Sequence, residues 1–130
     1  MTNGCLLDTN VVLIGLTSPT RISPAVRRAS ERGPIYISVI SYWEALVKSM
    51  KGKLDIGDPR IWWAEALDNF AATPLALKPA HISEIYKLEP IHQDPFDRAL
   101  IAQAIVEELT LLTTDSEIAK YKAPRFRVIA

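Results

Sequence analysis

A chain of 130 residues, 48% hydrophobic and 23% charged, is the size of one domain and can bury a core. One cysteine excludes a disulfide framework or a thiolate metal cage, and no apolar run approaches a membrane-spanning length. Fifteen basic and fifteen acidic residues cancel, so any binding of nucleic acid must rest on a local patch and on metal ions that neutralise phosphate. No basic segment followed by an apolar signal core opens the chain, and a soluble cytoplasmic protein is expected.

Gly4-Cys5-Leu6-Leu7 is short and apolar and stops at Asp8, the pattern of a buried parallel strand. Cys5 is read as a small core residue. Asp8-Thr9-Asn10 leads into a helix over Val11-Val12-Leu13-Ile14 despite its β-branched residues. Ser23-Pro24 starts a helix through Arg32 that Gly33 closes, with Arg27, Arg28 and Arg32 on its outer side. Ile35-Tyr36-Ile37 is a second strand. Ser38 or Ser41 starts a helix from Tyr42 to about Lys51, ended by Gly52. Another helix follows Asp58-Pro59 and carries Trp62 and Trp63.

Leu75-Ala76-Leu77 is a weak third strand, and Ala80 to Leu88 a short helix before Pro90. Asp94-Pro95 reads as an N-cap with proline in the first helical position, opening a helix to about Glu108. Thr110 to Thr113 is a fourth strand, Ser116 to about Tyr121 a last helix, and Phe126 to Ile129 a terminal strand. Strands alternating with helices indicate an α/β fold, one domain over 1–130 with a central parallel sheet of five strands flanked by helices.

Candidate chemistry lies in the acids. Asp8 and Asp115 each follow an apolar strand, and binding crevices of parallel sheets lie beyond the carboxyl ends of the strands. Asp97 opens a helix that descends from the same edge, and it projects into the apolar stripe of Leu100, Ile101, Ala104 and Ile105. A carboxylate there needs compensation, either from the helix N-terminus or from a shared metal ion. Glu44 shares a helix face with Ile40 and Val47, though Lys48 at i+4 also suits an ordinary surface pair. Convergent carboxylates without histidine or cysteine partners suit hard cations such as Mg²⁺ or Mn²⁺. Asp94 and Glu117 have capping or first-turn roles, while Asn10, Thr113, Thr114 and Ser116 are candidates for orienting carboxylates. His81 and His92 lack a metal-ligand spacing, and the chain has no glycine-rich phosphate loop.

Together, Leu6-Leu7-Asp8-Thr9-Asn10, Glu44 with Gly52-Lys53-Leu54, His92-Gln93-Asp94-Pro95-Phe96-Asp97-Arg98 and Leu111-Leu112-Thr113-Thr114-Asp115 resemble the PIN-domain ribonucleases. The resemblance is to the VapC toxin branch of type II toxin–antitoxin systems, and it covers essentially the whole chain. It implies a metal-dependent endoribonuclease with an acidic quartet at Asp8, Glu44, Asp97 and Asp115. One or two Mg²⁺ or Mn²⁺ ions, an RNA substrate, a cognate antitoxin and a homodimer are implied with it. Where some relatives carry further acids near the last position, this chain has Ser116 and Glu117.

Lys48, Lys51, Lys53 and Arg98 are candidates for phosphate contacts. Trp62 and Trp63 are adjacent, so one is expected in the core and the other at a protein interface. Two alternatives use Asp8 as a phosphorylated nucleophile, in a phosphatase-like enzyme or a receiver-like signalling module. The first wants an acid where Asn10 stands, and the second wants an acid pair and a late lysine.

Overall fold

The computed structural model describes residues 3–90 and 94–130, so His92 and Gln93 of the third motif lie outside the described residues. The described strands are β1 (Cys5–Leu7), β2 (Ile35–Ser38), β3 (Thr73–Leu75), β4 (Thr110–Leu112) and β5 (Arg127–Ile129). Between them run α1 (Thr9–Thr17), α2 (Pro24–Ser30), α3 (Val39–Met50), α4 (Pro59–Asn69), α5 (Pro79–Lys87), α6 (Pro95–Val106) and α7 (Ser116–Lys120). All strand pairs are parallel, in the order β3-β2-β1-β4-β5, with Leu6 registered against Tyr36 on one side and Leu111 on the other.

The central strand is apolar on both faces because helices cover both. Leu6 packs with Leu100, Ile101, Ile105 and Leu111 in one core, while Leu7 packs with Val11, Val12, Ile37 and Leu112 in the other. Each such side chain contributes about 1.5–3 kcal/mol on burial, which is what holds a three-residue strand in the middle of the sheet.

Helix starts follow local chemistry. Ser23 accepts from the Val26 amide at 3.1 Å, Asp58 from Arg60 at 2.9 Å, and Asp94 from Phe96 and Asp97 at 2.9 and 3.0 Å; a proline follows each cap. Ser38, not Ser41, caps α3, so that helix begins at Val39, before the expected Tyr42. Two other boundaries differ. Helix α2 stops at Ser30, with Glu31 as its cap in ordinary right-handed geometry, so Gly33 does not close it. Strand β3 lies at Thr73–Leu75 and not at Leu75–Leu77, with Pro74 in register with Ile37. A proline is tolerated there because β3 is at the edge of the sheet.

A polar clamp joins α5 to α6. His81 is fully buried, its Nδ1 accepts the Lys78 amide at 3.0 Å, and its Nε2–H therefore donates to Glu107 Oε2 at 2.8 Å. Gln103 donates to the Ala76 carbonyl at 3.3 Å beside it. His81 thus serves structure, in keeping with its lack of a metal-ligand spacing.

Candidate functional site

Strands β1, β2 and β4 all deliver their carboxyl ends to one edge, and α1, α3 and α7 start there. Asp8 caps α1: its Oδ1 accepts the Val11 amide at 2.9 Å. Asp115 caps α7 by accepting the amides of Glu117 at 2.7 Å and Ile118 at 3.4 Å. Asp97 stands in the first turn of α6. Three acids therefore sit at three helix N-termini, where the free amides and positive dipole ends favour negative charge. For Asp97 the two compensations weighed from sequence do not exclude each other.

Asp8 is almost completely buried. Burial pushes its carboxyl up to about 6, against the opposing hydrogen bonds from Thr113 and Val11, and the charges of Asp97 and Asp115 push the same way. Asp8 thus feels the charge of both other aspartates. Thr113, itself buried, donates its hydroxyl to Asp8 Oδ2 and accepts the Asp115 amide at 2.9 Å. Of the candidate orienting residues, Thr113 fills the role for Asp8, while Asn10, Thr114 and Ser116 are exposed.

Glu44 stands on α3, where Lys48 feels both its charge and that of Asp97. Its side chain is buried, Oε2 pairs with Lys48 Nζ at 2.8 Å, and Oε1 has no hydrogen-bond partner. Both sequence readings of Glu44 are thus present at once, the i+4 pair and the buried acid. Partial burial by itself would lower the Lys48 amino group, but Glu44, with Asp94 and Asp97, raises it above the ordinary lysine value. Buried Thr9 and Ser41 tie α1 to α3 through a 2.9 Å hydroxyl–hydroxyl bond beneath this corner.

Among the described residues, no three His, Cys, Asp or Glu side chains stand close enough together to hold a metal ion jointly. The donor chemistry nevertheless fits a hard cation. Asp8, Asp97, Asp115 and Glu44 offer oxygens only, and an orphaned buried carboxylate oxygen such as Glu44 Oε1 is costly until a cation or donor meets it.

Two further candidates are engaged within the fold. Arg98 donates to the carbonyls of Ile85, Leu88 and Glu89, closing the C-terminal end of α5. Trp62 is the buried member of its pair, and Trp63 is partly exposed, stacked on Tyr42 of α3 with centroids 4.9 Å apart. The exposed indole is Trp43, which sequence reasoning missed. Its signal was its place directly before Glu44.

The PIN domain family model matches residues 5–124. The chain belongs to the PIN-domain family. No curated protein sequence matches it. Among solved structures, this PIN domain is similar to a chain of VapBC2 from Rickettsia felis bound to a promoter DNA fragment, at 15% identity and TM-score 0.68 over 96% of both chains. It is similar to a chain of DNA-bound VapBC from Salmonella typhimurium, at 15% identity and TM-score 0.69, covering 97% of this chain and 96% of that one. It is also similar to a chain of a toxin–antitoxin complex from Klebsiella pneumoniae, at 22% identity and TM-score 0.64, covering 98% and 97%. No described helix of the PIN domain is long and apolar enough to cross a membrane.

Proposed function

We propose that this PIN domain is a Mg²⁺- or Mn²⁺-dependent endoribonuclease, the toxin of a toxin–antitoxin pair. The observation that supports the reading is that Asp8 and Asp115 follow neighbouring parallel strands at the carboxyl edge, where the charge of Asp97 also acts on Asp8, while α3 holds a buried, half-satisfied Glu44 carboxylate. Asp8, Asp97 and Asp115 would hold one or two ions, and Glu44 would complete the oxygen set or position water. A divalent ion there supplies an activated water at neutral pH and Lewis acidity for the phosphodiester. The protein's part is pre-organisation. Thr113 fixes the Asp8 carboxylate, the amides of α7 fix Asp115, and Lys48 balances Glu44 without leaving the helix surface.

Two protein partners belong to this reading. Structural neighbours that are toxin–antitoxin complexes support a cognate antitoxin, which would place an Arg or Lys among the carboxylates in place of the metal charge. A second copy of the chain is the other, consistent with exposed Ile82 and Tyr86 on α5.

The phosphoaspartate alternatives gain no support from the geometry. Both Asp8 oxygens are engaged by hydrogen bonds, from Val11 and from Thr113. The deciding experiment incubates the purified chain with single-stranded RNA and, separately, DNA, in Mg²⁺, Mn²⁺ or chelator. Metal-dependent cutting of RNA that Asp97→Asn abolishes is expected; an Asp97→Asn protein that cuts at the parent rate refutes the site.

A further inference from the structure

Trp43 is 54% exposed, although tryptophan is the side chain with most to gain from cover. It sits on α3 directly before Glu44, and its ring meets Phe96 of α6 at 5.1 Å between centroids with planes 88° apart. Phe96 directly precedes Asp97. The two aromatic rings are thus chain neighbours of two of the four acids, one on α3 and one on α6.

A perpendicular contact covers one indole face at most. Either the Trp43 edge points at the Phe96 ring, leaving both indole faces, or the Phe96 edge covers one and leaves the other. The contact also holds the indole, because α3 and α6 pack against each other and Phe96 is half-buried against the core. An aromatic platform braced beside an acidic phosphodiester site matches how proteins take up single strands, by stacking unpaired bases on rings.

We infer that Trp43 is a positioning residue that stacks a base of single-stranded RNA next to the scissile phosphate. This rests on the ribonuclease reading above and goes beyond it, because it names what seats the substrate. A protein partner is the competing occupant of an exposed tryptophan. The contact of Trp43 with Phe96, the residue before Asp97, favours the nucleotide, because it braces the indole on the pair of helices that carry Glu44 and Asp97. Stacking also explains how a chain of zero net charge holds RNA: part of the grip is apolar and sequence-tolerant.

The test uses the full chain, an oligoribonucleotide whose cut position has been mapped, and versions of it with single abasic nucleotides flanking the cut. Wild type, Trp43→Phe and Trp43→Ala are compared after thermal melts establish that each is folded. Trp43→Ala is expected to lower kcat/KM by roughly five- to a hundredfold, mainly through KM, and Trp43→Phe to recover most of it. One abasic position should penalise wild type but not Trp43→Ala, since the two changes remove the same contact. Binding of intact RNA to Asp97→Asn should quench tryptophan fluorescence, and the double variant Asp97→Asn, Trp43→Phe should lose that quench. The quench and the abasic series on wild type keep the test alive if Trp43→Ala fails to fold.

Equal kcat/KM for wild type and Trp43→Ala, or an abasic penalty that Trp43→Ala leaves unchanged, overturns the role of Trp43 while the ribonuclease reading stands. Loss of antitoxin binding with unchanged RNA kinetics overturns it in favour of a protein contact. A wild type that cuts no RNA in any divalent metal removes the ribonuclease reading, and this inference with it.

Discussion

The hydroxyl of Thr113 donates to Asp8 Oδ2, joining residues 105 positions apart across the neighbouring strands β1 and β4. The Thr113 hydroxyl oxygen itself accepts the Asp115 amide, so one threonine sets two carboxylate-bearing residues.

Thr113→Val is therefore expected to cost about 1–3 kcal/mol, because a buried carboxylate loses a donor and an amide loses its acceptor. Urea unfolding measures it. The Asp8 carboxyl should also titrate higher in the variant, since a bond that favours its charged form is gone. An unchanged unfolding midpoint would mean that the hydroxyl is idle.

The pH dependence of the metal-free protein follows from Asp8. Its folded value of about 6 lies above the ordinary 3.8, so the folded state binds more protons than the unfolded chain between those values. Stability is then lost as pH rises from about 4 through 6 and regained as pH falls. A rise of that size corresponds to about 3 kcal/mol. Denaturation at pH 4.5 and pH 7.5 is expected to show about two-thirds of this loss, about 2 kcal/mol, in wild type and much less of it in Asp8→Asn. Equal pH slopes in the two proteins would contradict it.

Asp97→Asn relieves repulsion on Asp8 but gives up a favourable charge at the start of α6, worth about 0.3–1 kcal/mol at an exposed terminus. With Asp8 buried, repulsion is expected to dominate, so the metal-free melting temperature should rise. Mn²⁺ should stabilise wild type by about 2.7 kcal/mol at a hundredfold excess over its dissociation constant, and the variant by less. A melting temperature that falls without metal, with the Mn²⁺ response unchanged, would leave Asp97 as a helix acid alone.

Lys48→Met leaves Glu44 buried without its cation. Breaking a fully buried pair costs about 3–5 kcal/mol, but Lys48 is 39% exposed and water screens part of the attraction, so a smaller loss is expected. The loss should shrink in the presence of Mn²⁺. A Lys48→Met protein as stable as wild type at neutral pH would show that solvent already satisfies Glu44.

Features settled within one helical turn were legible in the sequence. Ser23-Pro24, Asp58-Pro59 and Asp94-Pro95 announced three helices because cap and proline act on amides two or three residues away. The acids at the strand ends were legible because parallel topology sends them to one edge. What depended on distant partners was not. Strand β3 is placed by its pairing with β2, not by its own weak pattern, and the proline within it argued against the position it takes. Trp63 looked available beside Trp62 because its cover, Tyr42, lies on another helix. Thr113 could be named only as one of several neighbours until β4 lay beside β1.

The central place of β1 also orders events in time. It is made before the other described strands, yet one of its two neighbours, β4, begins at Thr110. At about 5–20 residues per second, the strand waits several seconds for that neighbour. Until then Asp8 has neither Thr113 nor Asp115 beside it. A nascent chain, or one cut short before β4, can carry Asp8, Glu44 and Asp97 and still lack the edge that unites them, so the site matures only after β4 and Asp115 have been made.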